Sequence, residues 1–195
     1  MNKRLLIFIT EGETDQEFYQ ALIDAEKAKR KVTKFRFDKI RHECAYGIGR
    51  LQKKIPNKIK RLYLDDPQYD GFFKVAVLAY DKDVFYASNP PLDREQLIDD
   101  LKGMGINLVI TIEADKTIED FFVIDFEGIK KFLRKPKHYK RPQGTGLMIL
   151  KKMFKESGRV YLKGKKVEGL ISSLDIKHIS EKLFDVFAAL FAELF

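Results

Sequence analysis

Apolar and polar positions alternate in blocks along this chain, and the blocks end in recurring ways. Leu5 to Ile9 is an unbroken apolar run that passes directly into Thr10-Glu11-Gly12-Glu13-Thr14-Asp15, which predicts a buried strand over 4–10 and a helix behind it. Thr14 with Glu17 has capping-box spacing, so the helix is expected to start there and to reach Lys29, with Phe18, Leu22 and Ala25 facing inward. Lys34–Ile40 alternates and reads as a second strand nearer an edge. Gly47–Leu64 is basic and helix-compatible, with Pro56 as the expected break. Turn residues from Asp65 to Gly71 precede a third apolar strand, 74–80, which ends in Asp81-Lys82-Asp83.

The second half continues the pattern. A loop carries Pro90-Pro91, and Asp93 with Gln96 caps a helix stopped at Gly103/Gly105. Asn107–Ile112 is a fourth strand, and Thr117 with Asp120 opens a helix whose inward face is Ile118, Phe121, Phe122, Ile129 and Phe132, ended by Pro136. Residues 144–157 form a short basic helix stopped by Gly158, and Val160–Leu162 has the look of a further short strand. From Ile176 to Phe195 the apolar positions 179, 183, 186, 187, 190, 191, 194 and 195 make a stripe broader than one core face requires. Core packing accounts for it, and a homodimer interface is the sharper alternative.

Alternating strands and helices over the first 130 or so residues predict an α/β fold, a mostly parallel, Rossmann-like four-stranded sheet flanked by helices. The boundary falls near Pro136, giving a domain over 1–135 and a basic, mostly helical C-terminal extension over 136–195 packed on it. At 195 residues with 45% hydrophobic content, a packed core is within reach. The single cysteine, Cys44, excludes an internal disulfide framework and a cysteine-based zinc site. Three histidines (His42, His138, His178) do not cluster and read as surface residues. Apolar runs are too short for a membrane span, and Glu11 arrives too early for a signal peptide after Met1-Asn2-Lys3-Arg4, so a cytoplasmic protein is expected.

Charge changes the picture more. The net charge is +8, yet between Lys130 and Lys166 fourteen Lys or Arg face one acid, Glu156. A field of that density suits a polyanion, nucleic acid above all, with Lys82, Lys135, Lys137, Lys140, Arg141, Lys165 and Lys166 as candidate contacts. Tyr139 in the basic stretch could stack on a base.

Two parallel strands that each end in carboxylates place Glu11, Asp81 and Asp83 at one rim of one sheet, where open α/β sheets bind ligands. Hard oxygen donors there suit Mg²⁺ or Mn²⁺. Glu119 or Asp120 could add a carboxylate from the next loop, although both also suit a helix N-terminus. Glu13 and Asp15 read as complements of the helix dipole, and Glu17 as a capping partner.

The strand-Glu11-Gly12-x-Thr14-Asp15-x-x-Phe18-Tyr19 segment, followed by a strand ending Asp81-x-Asp83, resembles the Toprim domain of topoisomerases, bacterial primases, RNase M5-type maturases and OLD-type nucleases. With Ile118-Glu119-Asp120-Phe121-Phe122, it looks most similar to the Toprim versions of OLD-type and RloB-like proteins of bacterial defence systems. The resemblance covers residues 4 to 130. It implies Mg²⁺-dependent phosphodiester chemistry, with Asp81 and Asp83 on metal and Glu11 on metal or a proton. It further implies a late lysine, for which Lys163 is the candidate and Lys82 the fallback. The chain lacks the ATPase domain of OLD proteins and the tyrosine domain of topoisomerases, which leaves a stand-alone nuclease, or a subunit working with a partner such as an ATPase.

The expected activity is thus a Mg²⁺- or Mn²⁺-dependent nuclease on DNA or RNA in a phage-defence or mobile-element setting. The alternative is a non-catalytic nucleic-acid-binding or sensor subunit. A phosphohydrolase with Asp81 as nucleophile is a third reading, opposed by Phe85 where the dehalogenase-type pattern has Thr.

Overall fold

The computed structural model describes residues 3–86, 88, 90 and 92–195, with Val84 and Tyr86 as backbone only. Met1, Asn2 and Pro91, part of the segments considered above, lie outside the described residues. Four strands, β1 (Arg4–Thr10), β2 (Lys39–Cys44), β3 (Phe73–Asp81) and β4 (Leu108–Ala114), pair in the order β2-β1-β3-β4, all parallel. β1 and β3 are central and buried on both faces, which is why their sequences are continuous apolar runs without alternation.

Side-chain alternation along those strands divides the core into two layers. Leu6, Phe8, Val75, Val77 and Ile112 face α1 (Glu13–Arg30) and a group of later helices: α4 (Glu119–Phe122), α5 (Phe126–Phe132), α6 (Gly146–Lys155), α7 (Ile176–Lys182) and α8 (Phe184–Leu194). Leu5, Ile7, Ile9, Ala76 and Leu78 face α2 (Ile48–Ile59) and α3 (Arg94–Gly103). The chain is therefore α/β with a four-stranded parallel sheet flanked by helices, compatible with a Rossmann-like fold. The hydrophobic layer beside α1 runs without interruption from residues before Pro136 into α6, α7 and α8. No helix among the described residues is long and apolar enough to cross a membrane.

Several expected elements are displaced. The second strand is Lys39–Cys44, not Lys34–Ile40. The alternating Phe35 and Phe37 serve a different contact: Phe35 packs on Phe195, the Arg36 amide donates to the Leu194 carbonyl at 2.9 Å, and Arg4 lies over Phe37. Pro56 does not break its helix. Leu51, Ile55, Ile59 and Tyr63 hold one face on the sheet, and the backbone widens into a π turn at Lys60–Leu64. The helix after β4 is segmented, with a 3₁₀ turn at Val123–Asp125 between α4 and α5. Val160–Leu162 forms no strand among the described residues; Tyr161 is buried, and Val160 and Leu162 are exposed.

The C-terminal helix divides at Leu183, where φ is −107°. The division lets Ile179 and the Phe187–Phe191 pair face one core despite their breadth around a single helix. Of the stripe, Ile179, Phe187, Leu190, Phe191 and Leu194 are buried within the chain, Leu183 and Phe195 are half-buried, and Val186 is exposed.

Candidate active site

The strand order puts the site in place. Connections leave β1 toward β2 on one side and return past it to β3 on the other, so the crevice between the β1 and β3 carboxyl ends is the topological switch point. Thr10 pairs with Ala79, which leaves Glu11 one residue and Asp81 two residues beyond the β1–β3 register.

Gly12 caps α1, and Asp15 supplies the N3 carboxylate, its Oδ2 accepting the Gly12 N–H at 2.8 Å. The expected Thr14–Glu17 box does not form. Thr14 Oγ1 instead donates to the Lys165 carbonyl at 2.6 Å, and Glu17 pairs with Lys166 at 3.6 Å. These contacts, with the Glu13 amide donating to the Gly164 carbonyl at 3.1 Å, dock the 163–166 turn on the start of α1. A Cβ on Gly12 would lie 2.7 Å from Gly164 Cα, so only glycine permits this approach.

The docked turn delivers Lys163. Its Nζ stands 2.7 Å from Asp81 Oδ2 and 3.3 Å from Asp83 Oδ2. Asp81 Oδ1 accepts the Ile118 N–H at 2.8 Å, which ties the β3 end to the loop after β4. That loop carries Glu119, fully buried, whose Oε1 accepts from the Tyr161 hydroxyl at 2.9 Å. Asp120 has a different task. Its two oxygens accept the Thr117 N–H (2.9 Å) and the Gly146 N–H (2.6 Å), stapling α6 against the loop. Gly146 is required there, since a Cβ would overlap the Glu119–Asp120 peptide.

The electrostatics follow from burial. Burial pushes the Asp81 carboxyl up to about 8 although Lys163 opposes it, and pushes Asp15 up to about 7. Burial also raises Glu11, again against Lys163. The same burial disfavours the charge on Lys163, but Asp81, with Glu11 and Asp83, outweighs it and raises the ammonium's pKa. In Glu11 Oε2, Asp83 Oδ1 and Glu119 Oε2 the cluster holds three buried oxygens without a hydrogen-bond partner among the described residues.

A pH dependence results. Three acids titrate above their unfolded values, so between about pH 4 and pH 8 the folded chain holds protons that the unfolded chain has released. Stability contributed by these groups is complete below about pH 4, declines as pH rises through their folded values, and levels off above about 8. In metal-free buffer the melting midpoint is expected to fall by several degrees from pH 5 to pH 8, followed by circular dichroism. A midpoint that climbed over that interval would contradict the assignment.

An acid-rich cluster with unfilled hard oxygen atoms fits a hard divalent cation in donor type and charge. Among the described residues, however, no three His, Cys, Asp or Glu side chains already converge as a metal cage. Lys163 holds Asp81 and Asp83 in their place. The cluster opens on a recess of about 230 Å³ lined by Glu11, Gly12, Asp15, Tyr46, Lys163 and Lys165, among others. A larger recess of about 560 Å³ includes Lys82, Phe85, Leu92 and Arg94 but none of the clustered carboxylates.

Of the residues singled out from sequence, Glu11, Asp81, Asp83, Glu119 and Lys163 come together. Lys82 does not join them: its ammonium pairs with Glu113 at 3.5 Å and Asp115 at 3.4 Å. Lys135 pairs with Glu156 at 3.6 Å and lies over the Tyr139 ring, whose hydroxyl bonds Glu156 and whose face meets Phe126, so Tyr139 is occupied by the chain itself. Lys137, Lys140, Arg141 and Lys165 are exposed. His42 is no surface loop residue; it lies in β2, stacked on Phe8 at 5.7 Å, while His138 and His178 are exposed.

Sequence reasoning missed three contributors. Asp15 caps α1 and also belongs to the acidic cluster, Tyr161 orients Glu119, and Tyr46 lines the recess. Asp15 stood within the Glu11-Gly12-x-Thr14-Asp15 motif, and Tyr46 preceded Gly47 at the start of a basic helix, whereas nothing local marked Tyr161. Comparison with models of known families, with curated proteins and with solved structures finds no match to this chain.

Proposed function

We propose that this chain is a Toprim-like, Mg²⁺- or Mn²⁺-dependent phosphodiesterase acting on nucleic acid. The observation that supports it is the cluster at the switch point, where Glu11, Asp83 and Glu119 keep unpartnered buried oxygens around one lysine. Glu11, Asp81, Asp83 and Glu119 would hold the ion, which supplies charge to the phosphoryl oxygens and a water of lowered pKa.

The chain's own groups do the rest. The Ile118 amide fixes Asp81, and Tyr161 fixes Glu119. Lys163, half-buried between the two aspartates, is placed to meet negative charge that develops on the phosphate. Glu11, raised by burial, can hold a proton closer to neutral pH than a solvated carboxyl. Exposed Lys137, Lys140, Arg141 and Lys165 supply the attraction for a polyanion.

One observation favours a second reading. Lys163 already bridges Asp81 and Asp83, and an ammonium seated between the two aspartates suits a non-catalytic nucleic-acid-binding subunit. A single experiment separates the two. Purified protein is incubated with end-labelled DNA and RNA in Mg²⁺, Mn²⁺ or EDTA, with ion binding followed by calorimetry. The proposal expects ion binding and products in Mg²⁺ or Mn²⁺ and none in EDTA. Binding of the labelled nucleic acid with no product under any ion would establish the second reading instead.

A further inference from the structure

A second basic surface lies outside the 130–166 stretch. Between Cys44 and Leu64 there are six Lys or Arg and no acid. α2 turns its apolar side, Leu51, Ile55 and Ile59, into the core, so the cations are left outward. Arg50, Lys53, Lys54, Lys60 and Arg61 are exposed, and Lys58 is paired with Glu43. Lys53, Lys54, Asn57, Lys58 and Arg61 line a shallow recess of about 410 Å³, with no carboxylate in its wall among the described residues. Such a strip along one helix matches a chain of phosphates and repels a basic partner.

Tyr46 stands where this strip meets the acidic recess. It lines that recess together with Glu11 and Lys163, and it is 59% exposed, the chain offering its ring little cover. Its φ is 56°, a left-handed conformation that costs a tyrosine energy and that persists where surrounding structure enforces it. Gly47 follows at φ 116°, and α2 begins at Ile48. An exposed aromatic ring on a strained backbone, beside a cluster of carboxylates and at the head of a cationic helix, has the features of a stacking platform.

We propose that α2, the π turn after it and Tyr46 bind single-stranded nucleic acid, with phosphates along Arg50, Lys53, Lys54 and Arg61 and one base stacked on the Tyr46 ring at the mouth of the recess. This deepens the proposed function and rests on its nucleic-acid part. Stacking selects the single strand, because in a duplex the base faces are already covered by neighbouring bases.

The test measures binding in EDTA, which separates it from cleavage. Fluorescence anisotropy compares a labelled single-stranded DNA, its RNA counterpart and the matching duplex on the whole chain. Single strands are expected to bind more tightly than the duplex. Tyr46→Ala is expected to weaken them about tenfold, with Tyr46→Phe restoring wild-type affinity. Lys53→Glu/Lys54→Glu, both exposed, should flatten the plot of log K against log salt by about 1.4 for the two lost phosphate contacts. Equal affinity of Tyr46→Ala and wild type, preference for the duplex, or an unchanged salt slope would each overturn the inference, as would no binding at all. Binding through these residues without cleavage in Mg²⁺ or Mn²⁺ would defeat the nuclease and leave this surface standing. Cleavage unaffected by Tyr46→Ala and by the double variant would do the reverse.

Discussion

Asp81→Asn is expected to reduce metal-dependent cleavage to below about a thousandth of the wild-type rate, a loss of about 4 kcal/mol of transition-state stabilisation. The substitution keeps the volume and one carbonyl oxygen, which can still accept the Ile118 N–H now bonded to Oδ1 at 2.8 Å. It replaces the carboxylate oxygen that faces Lys163 and removes the charge that would face the ion. Since burial holds the Asp81 carboxyl up at about 8, the folded chain gains little from its ionised form near neutral pH. The variant should therefore fold, melt within a few degrees of wild type, and show a shallower decline of melting midpoint between pH 5 and pH 8. Single-turnover cleavage and a melting series over that interval measure both. Wild-type cleavage by this variant would end the case for a catalytic site at the strand ends.

Lys163→Met is expected to give a different signature. Cleavage should fall by about 10²–10³-fold, the scale of losing one preorganised positive donor at a developing charge. In EDTA the variant should also lose about 2 kcal/mol of stability, less than the 3–5 kcal/mol of a fully buried pair because the Lys163 side chain is 30% exposed. The reason is that Asp81, Asp83, Glu11 and Glu119 would then face one another without a cation. Added Mg²⁺ should return most of that stability by binding the folded chain alone. Asp81→Asn, having lost a ligand, should show no such rescue. Thermal melts of both variants with EDTA and with Mg²⁺, beside their cleavage rates, make the comparison. A Lys163→Met variant that melts identically in the two buffers would count against an ion in the cluster.

These two side chains illustrate how legible the chain was. Glu11, Asp81 and Asp83 were readable because each stands at or within two residues of the end of an apolar strand, and parallel strands bring their ends to one rim. The cap of α3 was equally local, with Asp93 Oδ1 accepting the Gln96 N–H at 3.1 Å. The cap of α1 was not. Thr14 and Glu17 have the right spacing, but a turn 151 residues away takes the Thr14 hydroxyl and a distant lysine takes Glu17. Asp120 and Glu119 could not be told apart from sequence, since both sit at a helix start. Packing of Gly146 against their shared peptide sends one to α6 and the other to Tyr161.

Local pattern alone determined the strand–helix alternation, the central places of β1 and β3, and the rim on which the carboxylates stand. It did so because periodicity and strand ends are properties of neighbours in sequence. Tertiary structure decided the rest. It moved β2 to Lys39–Cys44 by giving Phe35 and Arg36 to the C-terminal helix, and it turned Lys82 aside onto Glu113 and Asp115. It also brought Lys163 between two aspartates some 80 residues earlier through a glycine-to-glycine contact. Hydrogen bonds, charge pairs and burial at that range depend on where the chain returns, and no spacing in the sequence records that return.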